Sequence, residues 1–192
     1  MERNDFFRSA NAFAMQYGAI FGLWLTIGFT CVIGMFTFPL LSLFHLVFMV
    51  SIPVLGGYLT LRYLHENKKV TGTPLSFGQI FLYTTLQYYY AAILFALCVY
   101  VYFAFIDNGF FITSYINYLN LPEVKKELAQ PSMQQLILQS TGGNGIDSLA
   151  AQLQLLTPVN YALVALTGNI IVGLILSIPT ALFCKSKSQN RP

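Results

Sequence analysis

The chain has 192 residues, of which 56% are hydrophobic and only 9% charged, with a formal net charge of +3. Soluble domains carry about 25% charged residues, so too few polar groups remain to solvate a globule of this length, and much of its surface must face something other than water. Its 10 basic residues are scattered rather than gathered in a stripe, which excludes nucleic acid as a partner.

From Ser9 through Leu61 there is no Asp, Glu, Lys or Arg, a run far longer than the ~20 residues that cross a bilayer core. Pro39 divides it, because the residue before a proline is pushed out of helical geometry. The reading is a first span over residues 13–37, a tight turn at 38–40 and a second span over 41–63. Glu2, Arg3, Asp5 and Arg8 precede a long apolar run with no A-x-A site after it, so an uncleaved anchor is expected rather than a signal peptide.

Ala14, Gly18, Gly22, Thr26, Thr30 and Gly34 recur every fourth residue along span one. Small residues at this spacing let helix backbones approach closely in lipid, where no hydrophobic drive brings helices together. A strict four-residue repeat drifts by about 40° per step, so only the middle positions share one seam. In span two, Pro53 beside Gly56 and Gly57 marks either a hinge or a static bend.

A third apolar run covers residues 77–106, opened by Ser76 and Gln79 in capping-box spacing. It is unusually aromatic, and Tyr88, Tyr89 and Tyr90 sit at depth beside Gln87. Buried tyrosine hydroxyls need partners, so His45, Gln87, Tyr88 and Asn169 form a candidate polar cluster. It would act either as interhelical glue or as a site for a polar head group. The segment 107–157 is long enough to need structure of its own. Pro122 and Pro131 open short helices over 123–130 and 132–140. A break follows at 141–145, and Asp147 or Ser148 caps a third short helix. These helices either dock a partner or lie on the membrane interface.

The fourth span covers residues 158–183 and opens on Thr157-Pro158, a cap followed by proline at the first helical position. Ala165, Asn169, Gly173, Ser177 and Ala181 repeat at four-residue spacing, and Pro179 is a second candidate hinge. The repeats in spans one and four suit packing of those two spans against each other, or an oligomer interface. Basic residues fall in the N-terminal tail (Arg3, Arg8), the link between spans two and three (Arg62, Lys68, Lys69) and the C-terminal tail (Lys185, Lys187, Arg191), while the segment 107–157 has only Lys125 and Lys126 against Asp107, Glu123, Glu127 and Asp147. By the positive-inside tendency, both termini are expected in the cytoplasm. The fold class is thus an all-α membrane protein, a single four-span domain with a helical extracytoplasmic loop.

Chemistry-bearing patterns are few. Cys31, Cys98 and Cys184 lack CxxC spacing and read as small buried hydrophobes. No HExxH, metal cluster, phosphate-cradling glycine loop or Ser-His-Asp set is present, so no cofactor is expected. The spans lack carboxylates and fixed cations at depth, where pumps and ion-coupled carriers place them. Asp107, beside Asn108 at the mouth of span three, is the first carboxylate to test for chemistry.

Three stretches resemble a known family. Tyr17-Gly18-Ala19-Ile20-Phe21-Gly22 fits its opening, Gly72-Thr73-Pro74-Leu75-Ser76-Phe77-Gly78-Gln79 its entry to span three, and Gly173-Leu174-Ile175-Leu176-Ser177-Ile178-Pro179 its closing helix. Together they look like domain-of-unknown-function family 4199, small four-span inner-membrane proteins of the Bacteroides group. The resemblance implies topology and location, carries over no catalytic residue, and points to polyprenyl-phosphate glycosyltransferases as neighbouring functions. The expectation is therefore a non-catalytic accessory or scaffold subunit of a membrane complex. Its partners would be membrane lipid and another membrane protein or a second copy. The alternative is a small carrier or scramblase for an uncharged or lipid substrate.

Overall fold

The computed structural model describes residues 3–140, 142 and 151–189. Among these the protein is helical throughout, with α1 (Arg3–Gly34), α2 (Leu41–Thr71), α3 (Phe77–Phe105), α4 (Phe110–Leu119), α5 (Pro122–Leu128), α6 (Pro131–Ser140) and α7 (Pro158–Gln189). Residues 151–154 are also helical, whereas Asp147 and Ser148, expected to cap a helix there, lie outside the described residues. Four stretches, Phe6–Gly34, Leu41–Thr71, Phe77–Phe105 and Pro158–Lys185, are long and apolar enough to cross a membrane. The chain is an all-α, multi-pass membrane protein.

Two helices outrun their apolar segments. α1 starts ten residues before the expected span, and α2 continues through His65, Glu66, Lys68 and Lys69 to Thr71. Backbone hydrogen bonding does not stop where hydrocarbon stops, so a helix continues into water until a capping geometry ends it. For α2 that end is Gly72, at φ 67° in the left-handed region, whose N–H bonds the Lys68 carbonyl. Between α1 and α2 the chain reverses through Phe38, whose N–H bonds Gly34 O at 2.8 Å. At the end of the link from α2 to α3, Ser76 and Gln79 close both bonds of a capping box on α3. Thr157 caps α7 by accepting from the Asn160 N–H at 3.4 Å.

α3 is the central helix, packed extensively against α7 on one side and α1 on the other. α2 touches α1 and α7 and meets α3 only lightly. The expected pairing of spans one and four is not what the structure has, since α1 and α7 share at most a marginal contact. The reason lies in shape. A glycine groove facing another glycine groove leaves little to interdigitate, whereas α3 offers side chains that fill both. Tyr90 meets α1 at Gly18, and Tyr88 meets α7 at Gly173.

Burial is lopsided along the bundle axis. α2 buries no residue before Gly56, and α7 none before Gly173. The half holding the start of α1, the end of α2, the start of α3 and the end of α7 contains Phe6, Ala10, Tyr17, Leu59, Tyr63, Ile80, Tyr83 and Cys184, all buried. In the half nearer the α1–α2 turn, burial among the spans is confined to α1 and α3, at residues such as Gly28, Ala96 and Val99. α5 packs on α4 and α6 on α5, without extensive contact to the four long helices.

Candidate functional site

The closed half begins at a plug. Tyr88, buried, turns its ring against Phe21 of α1, with centroids 5.0 Å apart in an edge-to-face pair. Its backbone-proximal atoms lie where a side chain at Gly173 of α7 would be, 2.5 Å from an ideal Cβ. Its hydroxyl end occupies the corresponding space at Gly56 of α2. One tyrosine therefore touches all three other spans, and two of the candidate hinge and packing glycines are the sockets that admit it.

Gly18 and Gly22 serve α1 in the same way. Ideal Cβ atoms there would stand 2.8 Å from Gln87 O and 2.9 Å from Ala91 O, so α1 and α3 approach backbone to backbone. Along the α1 repeat, Ala14, Gly18 and Gly22 are buried, Thr26 is half-buried and Thr30 exposed. This is the drift that a four-residue repeat produces on a 3.6-residue helix. On α7, Gly173, Ser177 and Ala181 are buried, and Ser177 Oγ donates to Gly173 O at 2.7 Å. Gly57, in contrast, has open space where a Cβ would be. α2 and α7 run unbroken through Pro53 and Pro179.

Below the plug lies a polar layer. Thr60 Oγ1 donates to Gly56 O at 2.9 Å and stands 3.4 Å from Thr84 Oγ1 and 3.5 Å from Gln87 Oε1. Thr84 and Gln87 are fully buried, and Gln87 Nε2 has no hydrogen-bond partner. One turn further, the rings of Tyr63 and Tyr83 stack at 3.7 Å and 12°. Sequence reasoning missed Thr60, Thr84 and this stack. A signal existed in the 4-residue spacing of Gly56 and Thr60 and the 3-residue spacing of Thr84 and Gln87, which puts each pair on one face.

Above the plug the four spans enclose a pocket of about 180 Å³ lined by residues of all of them, among them Trp24, Gly28, His45, Phe48, Phe95 and Asn169. His45 Nδ1 is shielded from solvent and lacks a partner. Asn169 Nδ2 donates to Ala165 O at 2.7 Å, which leaves its carbonyl oxygen available. Trp24 Nε1 donates to Ser51 Oγ at 2.9 Å and fixes one wall. The four-member polar cluster expected from sequence is thus divided. His45 and Asn169 share the pocket, Gln87 pairs with Thr60 about 22 Å further along α2, and Tyr88 separates the two.

At the open end, α4 faces the α1–α2 turn across a groove of about 590 Å³ lined by Met35, Phe36, Pro39, Ser42, Ser114, Tyr115, Asn117, Tyr118 and Leu121. Asp107 sets α4 in place. Its two carboxylate oxygens accept from the N–H groups of Gly109 at 3.1 Å and Phe111 at 3.0 Å. The corner needs positive φ at Asn108 (46°) and Gly109 (80°), which the short amide side chain and glycine tolerate. With its oxygens engaged by backbone, Asp107 is a structural cap. Phe103 stacks on Tyr161 at 4.0 Å beside it, tying α3 to α7. Among the described residues no group of three or more His, Cys, Asp or Glu could hold a metal ion.

Neither a curated protein nor a solved structure matches the chain. A family profile does, across residues 16–186, a stretch that includes every packing glycine, the plug, the pocket and the groove. The chain belongs to the family described as protein of unknown function, DUF4199.

Proposed function

We propose that this protein is a non-catalytic integral inner-membrane subunit, with both termini in the cytoplasm, that docks a membrane partner through the arm formed by α5 and α6. The observation that carries the proposal is the arm's position: α6 packs on α5, which packs on α4, without extensive contact to the spanning bundle. On α6, Met133 and Leu136 lie on one face of the helix and are exposed. Phe103 of α3 already stacks on Tyr161 of α7 at 4.0 Å, so joining these spans needs no long connection and the arm invites a further role. The arrangement of Lys and Arg supports a position of the arm outside the cytoplasm.

The test is affinity purification in mild detergent followed by mass spectrometry, comparing the native chain with Met133→Ser combined with Leu136→Ser. A stoichiometric companion present with the native chain and lost with the double variant, at unchanged thermal stability, is the expected result. A lipid-linked glycosyltransferase is the first companion to look for. A native chain that purifies alone contradicts the proposal.

A second reading, a carrier or scramblase for an uncharged or lipid substrate, is favoured by one observation: all four spans contribute to the pocket that holds His45 and Asn169. Reconstituted vesicles with fluorescent lipid test it. Transfer above protein-free vesicles is expected under this reading, and its absence removes it.

A further inference from the structure

The pocket above the plug and the groove beneath α4 occupy the same stripes of the α1–α2 hairpin. On α1, Gly28 and Val32 line the pocket and Met35 the groove. On α2, Ser42 lines the groove and His45, Met49 and Ile52 the pocket. Spacings of three, four and seven residues put each set on one helix face, so the two spaces are stacked end to end. From Leu25 to Phe36 the combined depth is about 16 Å, and Tyr88 closes its inner end.

The lining changes character along that depth. At the outer end, Ser42, Ser114, Asn117 and Tyr118 offer hydroxyl and amide groups. One turn inward, His45 lines the pocket and its shielded Nδ1 has no partner, and Asn169 lines the same pocket. Deeper, the walls are Trp24, Leu25, Phe29, Phe48 and Ile52. No Lys, Arg, Asp or Glu lines either space. α2 and α7 bury nothing along their outer halves, so these walls of the space are thin toward the bilayer.

We propose that these two stacked spaces together form a binding site for one lipid with an uncharged, hydroxyl-bearing head and an ester or amide oxygen about one helical turn below it. Diacylglycerol and glycosyl diacylglycerol have this chemistry. The head would bond Ser42, Ser114 and Asn117, the ester carbonyl would accept from His45, and one acyl chain would run inward to Tyr88. An anionic phosphate finds no cation among these side chains. The inference is independent of partner docking by the arm, so its failure leaves the pull-down result standing.

Purified protein in nanodiscs tests it, using diacylglycerol and phosphatidylglycerol that carry the same diazirine on one acyl chain. Photolabelling by diacylglycerol is expected to saturate, to map to residues 25–36 and 42–52, and to exceed phosphatidylglycerol labelling by about fivefold, the gain from one net hydrogen bond. Val32→Trp, which adds bulk to the wall of the inner pocket on the side toward the groove, should abolish the saturable part while leaving labelling of the outward faces of α2 and α7. Equal labelling by the two lipids, or labels confined to those outward faces in the native chain, overturns the proposal. The mapping on native protein decides the matter even if the variant does not fold.

Discussion

At the residue scale the bundle is held by glycines that act as sockets. A methyl group at Gly18 would stand 2.6 Å from Tyr90 Cβ and 2.8 Å from the backbone oxygen of Gln87, and a backbone atom cannot rotate away. Gly18→Ala should therefore cost about 1–3 kcal/mol, the range for overpacking a well-packed interior. Gly168, with nothing within 4 Å of a built Cβ, is the control, and Gly168→Ala should be neutral or stabilising by up to about 1 kcal/mol through helix propensity. Thermal unfolding in detergent separates the two, and equal responses would contradict the socket account. These positions were legible in the sequence because spacing reports which residues share a face. Which helix they meet was not legible, since a small residue says only that something comes close. Tyr88 shows why: its role as a plug depends on Phe21, Gly56 and Gly173 arriving from three other helices.

The polar layer supplies a second prediction at this scale. The Tyr83 hydroxyl is buried without a partner, while its ring stacks on Tyr63. Removing an unsatisfied hydroxyl relieves its desolvation, so Tyr83→Phe should raise stability by up to about 1–3 kcal/mol. Tyr83→Ala removes the stack as well and should cost about 3–5 kcal/mol. A loss of stability in the phenylalanine variant would mean that the hydroxyl is bonded after all.

At the scale of elements, the spans follow from apolar run length, and their entry points from capping chemistry at Ser76 and Thr157. α4 was not legible. Its sequence, Phe110 to Leu119, is rich in aromatic and β-branched residues and begins without a capping residue at the boundary. The signal lay upstream, in Asp107-Asn108-Gly109, where a carboxylate reaches over a tight corner to the first N–H groups of the helix. Asp107→Ala should loosen α4 and cost about 0.5–2 kcal/mol, and Asp107→Asn, which keeps an acceptor, should cost less. Faster amide exchange confined to residues 110–119 is the expected signature in Asp107→Ala, and unchanged exchange there would contradict the capping role. Any enzymatic activity found for this chain should survive Asp107→Asn.

At the scale of the molecule, the spans form a bundle in which α2 and α7 are buried only in the half toward one end. The number of spans and their apolar character were readable from the sequence, because charge-poor runs of this length have few other environments open to them. The asymmetry was not, since it arises from where the sockets fall: Gly56 and Gly173 lie midway along α2 and α7, and everything before them is left unburied. The distribution of Lys and Arg is the ground for the proposed orientation, with the closed half toward the cytoplasm and the groove toward the outside. Single cysteines, in a background lacking Cys31, Cys98 and Cys184, measure both properties at once with a small membrane-impermeant thiol reagent. In spheroplasts, cysteines at Ser42 and Ser114 should label, one at Lys69 should label only in inside-out vesicles, and those at Thr60 and Thr84 should resist from both sides. Labelling at Thr60 or Thr84, or reversal of the pattern between Ser114 and Lys69, would contradict it.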